Sequence, residues 1–150
     1  MFRLSKLSDY ALVVLATLAR APSFSLTARE VARRAGLPLP TACKLLQVLS
    51  QAGLLTAQRG VRGGYRLARA PEQLTVAEAL AVLEGPPTLT ACGTAPTGVC
   101  ALEPVCQVRG HWHRLNRALL AALEGLTLAD LARPTDAPPA SPPALASLSP

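Results

Sequence analysis

Between Thr27 and Ala68 the chain reads as two short helices joined by a tight turn and followed at once by a β-hairpin, an order that few folds accept in so little sequence. Thr27-Ala-Arg-Glu30 forms a capping box. The Thr27 hydroxyl can accept from the backbone N–H of residue 30, and Glu30 can reach back to the cap. A helix over 28–35 should follow, closed by Gly36, where a positive φ costs little. Leu37-Pro-Leu-Pro40 makes a stiff turn, and Pro40 is tolerated in the first turn of the next helix. That helix is expected over 40–52. Ala42, Leu45, Leu46 and Leu49 form its buried stripe, Thr41, Lys44, Gln47 and Gln51 face outward, and Gly53 ends it.

Two helices across a tight Gly-containing turn make a helix-turn-helix, which an ordinary helical hairpin also resembles. The residues behind it decide. Leu54 to Gln58 reads as a strand, Arg59-Gly-Val-Arg-Gly-Gly64 as a basic turn, and Tyr65 to Ala68 as the return strand. A hairpin tipped with Arg and Gly, directly after a recognition helix, is the layout of a winged helix. The expected fold class is therefore mainly α: a winged helix-turn-helix with a small β-hairpin wing and a long C-terminal dimerisation helix. The glycines would let the backbone approach a phosphate or a groove closely. Thr41, Lys44 and Gln47 on the helix, with Arg59 and Arg62 on the wing, are the candidate contacts to double-stranded operator DNA, and Arg66 adds charge beside them. The Gly-rich turn lacks the Walker pattern of a nucleotide site.

The charge distribution agrees. Residues 1–70 carry 11 Lys or Arg against 2 acids, whereas residues 71–150 carry 4 Arg against 7 acids. A polyanion belongs on the first half. Much of the apolar content is Ala and only 3% of residues are aromatic, so the core should be thin and Leu-rich, and dimerisation would help it. Arg3 and Lys6 ahead of the run Ala11 to Ala19, with Ala19-Arg20-Ala21 behind it, imitate a secretory signal. Asp9 interrupts that pattern. Leu7, Ala11, Val14, Leu15 and Leu18 share one face of a helix over 6–20, which Pro22 stops. No other stretch approaches the roughly 18 apolar residues of a membrane span. A soluble cytoplasmic protein with reduced thiols is expected.

The second half reads as a helix over 75–84, a loop over 86–106, a long helix over 106–124 and a short one over 127–131. Val108, Trp112, Leu115, Leu119 and Ala122 alternate spacings of four and three, a coiled-coil-like seam suited to a homodimer. From residue 133 the chain is mostly Pro, Ala and Ser and should be disordered. The expected organisation is a DNA-binding region over 1–70, a cysteine loop with dimerisation helices over 71–132, and a tail over 133–150. Cys92, Cys100 and Cys106 crowd the loop. Thiolates are soft ligands that suit zinc, copper(I) or an iron–sulfur cluster. The CxxC pairs of common zinc sites are missing, and a structural zinc site or three unliganded thiols remain open on spacing alone. A fourth ligand could be Glu103, His111, His113 or Asp9. Cys43 stands apart on the recognition helix. Without a CxxC redox pair, a nucleotide site or a clustered general base, the sequence does not read as an enzyme.

Four features together resemble the IscR/NsrR/RirA family of bacterial winged-helix regulators. They are Leu4-Ser-Lys-Leu-Ser-Asp-Tyr-Ala-Leu12, the helix-turn-helix, Arg59-Gly-Val-Arg-Gly-Gly-Tyr-Arg-Leu67 and the Cys92/Cys100/Cys106 loop. The opening segment is most similar to the branch that regulates the SUF cluster-assembly operon. The resemblance covers about residues 1–132. It implies a homodimer with a long crossing helix, a 2Fe–2S or 4Fe–4S cluster on the three cysteines, and operator binding that depends on cluster state. In the IscR type a His three residues after the third Cys completes the site, and here that position is Arg109. In the NsrR type an Asp in the first helix of the other subunit does so, and Asp9 falls at that position. Cys43 stands where the IscR type has a Glu used in site discrimination, so operator sequence does not carry over.

Overall fold

The computed structural model describes residues 4–60, 63–90 and 100–134. Helix α1 (Lys6–Ala19) begins at Ser5, whose hydroxyl accepts the N–H of Ser8 at 3.1 Å. Helix α2 (Ala28–Ala35) carries the expected capping box. Thr27 N–H donates to Glu30 at 2.8 Å, and Glu30 N–H donates to the Thr27 hydroxyl at 3.3 Å. Gly36 takes the left-handed conformation, φ +67°, that closes the helix. Helix α3 (Leu39–Gln51) starts one residue earlier than the sequence suggests and buries Ala42, Leu45, Leu46 and Leu49 completely. Each such leucine contributes roughly 1.5–3 kcal/mol by leaving water.

The wing pairs β1 (Leu55–Gln58) antiparallel with β2 (Gly64–Leu67), in the register Leu55–Leu67, Thr56–Arg66, Ala57–Tyr65 and Gln58–Gly64. A third backbone joins this sheet. Leu26 donates to the carbonyl of Tyr65 at 3.0 Å and accepts from its N–H at 2.7 Å. That bridge explains Gly64. A Cβ there would stand 2.6 Å from the carbonyl oxygen of Leu26, so any side chain collides with backbone. Gly63 is equally confined, against the carbonyls of Gln58 and Gly60. At these two positions the chain's own close packing by itself requires glycine.

A 3₁₀ turn (Pro71–Gln73) leads to α4 (Val76–Glu84). A second 3₁₀ turn (Glu103–Val105) precedes α5 (Arg109–Glu124), and α6 (Leu128–Ala132) ends the described chain. The sequence places the start of the long helix at 106. In the structure Cys106 is extended, with ψ 107°, at the end of the 3₁₀ turn, and α5 begins at Arg109 without a side-chain cap. The start of α6 folds back beside the start of α4. Val76 N–H donates to Leu126 O and Leu128 N–H to Leu74 O, both at 2.9 Å. Arg20 secures the other end of α6 through the carbonyl of Ala132 at 3.1 Å.

One buried cluster takes in Leu15 and Leu18 of α1, Val31 of α2, Leu46 and Leu49 of α3, and Leu74, Ala79 and Leu128 from beyond residue 70. The core therefore runs across the boundary expected at residue 70. Helix α5 stands apart from that core. Its one buried residue is Asn116, and Leu115 is 49% exposed. Of the expected seam, Trp112 and Leu119 are half-buried, and Val108, Leu115 and Ala122 are exposed. No described helix is long and apolar enough to cross a membrane.

Candidate nucleic-acid interface and cysteine loop

The buried stripe of α3 determines which of its residues meet solvent. With Ala42, Leu45, Leu46 and Leu49 locked into the core, Lys44 and Gln47 lie exposed on the opposite face and Thr41 is half-buried at its edge. Cys43 is exposed on the same helix as a free thiol. No acid lies on α3 to oppose an approaching phosphate. Arg29, Arg33 and Arg34 add exposed cations on α2.

On the wing, Arg59 is exposed just past the end of β1. Arg62 lies outside the described residues. Arg66 donates its Nε–H to the Thr56 hydroxyl at 3.2 Å, directly across the hairpin. Arg69 is occupied by an ion pair with Glu78. Glu30, one of the two acids before residue 71, is consumed by its cap. The Thr27 backbone N–H, and then its hydroxyl, hold the Glu30 carboxyl below the usual carboxylate range.

Cys100 and Cys106 are free, half-buried thiols on the segment leading into α5, and Cys92 lies outside the described residues. Among the described residues no three His, Cys, Asp or Glu side chains gather as a metal-binding group, so Asp9, Cys100 and Cys106 of one chain do not form a set by themselves. Asp9 is exposed in the first turn of α1 and lines a groove of about 360 Å³ with Leu12, Ala16, Arg20, Arg34 and Leu131. His111 is exposed and His113 half-buried on the first turns of α5. Two unpaired soft donors on a segment with only a three-residue turn are chemically suited to a thiolate-bound metal centre.

Asn116 went unremarked in the sequence, where it interrupts no pattern. The one available signal was its place between Leu115 and Leu119, one position off the apolar seam. In the structure it holds the start of the cysteine-bearing segment, with its Oδ1 accepting the N–H of Leu89 at 2.8 Å.

Comparison with known proteins agrees with this arrangement. The Rrf2 family, described as an iron-dependent transcriptional regulator, matches residues 4–134. The HTH-type transcriptional regulator NsrR of Halalkalibacterium halodurans is 33% identical over 130 residues, 86% of this chain and 89% of that protein. Protein rrf2 of Nitratidesulfovibrio vulgaris is 32% identical over 105 residues, 70% of this chain and 69% of that one. Among solved structures, CymR, the global cysteine regulator of B. subtilis, superposes with a TM-score of 0.72 at 28% identity, covering 88% of this chain and 97% of that one. IscR of T. potens superposes with a TM-score of 0.64 at 27% identity, covering 87% and 85%. These relatives are transcription regulators and not enzymes.

Proposed function

The chain belongs to the Rrf2 family of transcriptional regulators, and from that premise we propose that it is a homodimeric repressor whose grip on operator DNA depends on an iron–sulfur cluster. Cys92, Cys100 and Cys106 would hold the cluster, with Asp9 of the partner subunit as the fourth ligand. Genes of cluster assembly are the proposed targets. The observation that carries the reading is the pair of unpaired thiols, Cys100 and Cys106, on the segment that runs directly into α5. That helix and its N-cap leave Val108, Leu115 and Leu120 exposed in their own chain, apolar surface suited to a second copy. A cluster, when bound, supplies a redox-active iron centre to this junction.

The chain's own residues do the rest. Thr41, Lys44 and Gln47 enter the major groove, while Arg59 and Arg62 grip the flanking backbone or minor groove. Two recognition helices of a dimer must meet grooves one helical turn, about 34 Å, apart. The seam of α5 sets that separation, so a small change where the cysteine segment meets α5 alters affinity for the whole site. Asp9 strengthens the link because α1 packs against both α2 and α3.

The test begins with protein purified without oxygen. A brown protein with charge-transfer absorption is expected, and operator DNA selected from a random-sequence pool should bind loaded and metal-free forms with clearly different affinities. A colourless protein holding stoichiometric zinc, with unchanged DNA affinity after metal removal, would replace this reading with a structural zinc site.

A further inference from the structure

Asn116 is buried, 7% exposed, at the middle of a helix on which no leucine is fully buried. Asparagine is a poorer helix former than leucine, and an amide out of water is costly unless its hydrogen bonds are replaced. The replacement comes from the turn that opens the cysteine-bearing segment. Asn116 Oδ1 accepts Leu89 N–H at 2.8 Å, and Asn116 Nδ2 donates to Thr90 Oγ1 at 3.5 Å. The Thr88 hydroxyl donates to the carbonyl of Thr90 at 3.0 Å and closes the turn on itself. The Leu89 side chain is 37% exposed, and its backbone N–H is held by Asn116.

We propose that Asn116 is a positioning residue for the cysteine-bearing segment, holding residues 88–90 in register with the middle of α5. The far end of that segment enters the same helix at Arg109, seven residues before Asn116, or about 10 Å along the axis. Both ends are therefore mounted on one rigid element, two turns apart. Asn116 thereby fixes where the segment leaves α4 relative to the point at which it enters α5. The effect on cluster retention rests on the cluster reading above; the anchor itself does not.

The test compares full-length wild type with Asn116→Leu, which keeps the volume and loses the acceptor, and with Asn116→Asp, which keeps the acceptor. Amide exchange at Leu89 is followed by NMR on metal-free protein, and decay of visible absorption in air on protein loaded without oxygen. Asn116→Leu should speed Leu89 exchange by about ten-fold or more and shorten the absorption lifetime several-fold, with the dimer retained. Asn116→Asp should return both toward wild type. A folded Asn116→Leu with wild-type exchange overturns the anchor, and faster exchange with an unchanged lifetime overturns the positioning role. If wild type takes up no cluster, the functional reading fails, and Leu89 exchange with the labelling rate of Cys100 decides the role of Asn116 alone. If Asn116→Leu does not fold, Asn116→Ser replaces it, because a serine hydroxyl is too short to reach Leu89.

Discussion

Ser8, fully buried in the first turn of α1, donates its hydroxyl hydrogen to the carboxylate of Glu84, the last residue of α4. The same carboxylate oxygen accepts the backbone N–H of Ser5 at 2.9 Å. One acid thus closes the N-terminus of α1, where unpaired N–H groups and the helix dipole both favour a negative charge. The Ser8 bond, followed by those from Ser5, holds the Glu84 carboxyl below its ordinary value of 4.5. A lowered carboxyl stabilises the fold above its unfolded-state value, and that contribution is lost as pH falls through the lower folded-state value. Glu84→Gln should therefore be less stable than wild type at neutral pH, and the gap should close on acidification below about pH 4.5. Urea midpoints between pH 7 and pH 3 measure it. Parallel curves for the two proteins would show that the charge contributes nothing.

DNA affinity should fall when the exposed cations of α3 and the wing are removed one at a time. Lys44→Ala or Arg59→Ala should lower the salt dependence of binding by about one phosphate's worth if the side chain touches the backbone. A side chain that reads a base should instead cost roughly 1–3 kcal/mol of discrimination against a mismatched site. Titrations at several salt concentrations separate the two. Operator affinity unchanged in both variants would remove α3 and the wing from the interface.

Leu115 is half-exposed in the single chain, so Leu115→Glu should leave the protomer folded. In a symmetric dimer the new carboxylate would sit against its own mate in an apolar seam, a costly arrangement. The variant should elute as a folded monomer, with wild-type helix content by circular dichroism. A stable dimer would place the subunit contact elsewhere than on α5.

Removing a soft ligand should cost more than removing a hard one. Cys92→Ala, Cys100→Ala or Cys106→Ala should each abolish a stable cluster, while Cys43→Ala should retain it. Asp9→Ala should still assemble some cluster, with altered absorption and faster loss in air, and should uncouple DNA affinity from cluster state. The comparison is operator affinity of loaded and metal-free protein. Should Asp9→Ala keep the full wild-type difference while His111→Ala loses it, His111 is the fourth ligand.

The parts of this protein legible in its sequence are those governed by neighbours three or four residues apart. Thr27 and Glu30 make their capping box, Gly36 its left-handed turn, and Ala42, Leu45, Leu46 and Leu49 their stripe because each interaction is closed within one helical turn. The hairpin between Leu55 and Leu67 was readable from the Gly-rich turn that separates its two short strands, and the helix stripe likewise left Lys44 and Gln47 facing outward. Only the tertiary structure decided the contacts between distant segments. Leu26 joins the wing and so dictates Gly64, a residue whose local pattern suggested an opening for a ligand. The Thr75–Thr127 bridge carries α6 back onto α1 and merges two regions of different charge into one core. Glu84 reaches Ser8 across 76 positions, and Asn116 reaches Leu89 across 27. A polar side chain on a helix does not announce its partner. Its burial depends on which backbone groups the rest of the fold leaves unsatisfied beside it, and no periodicity in the chain encodes that.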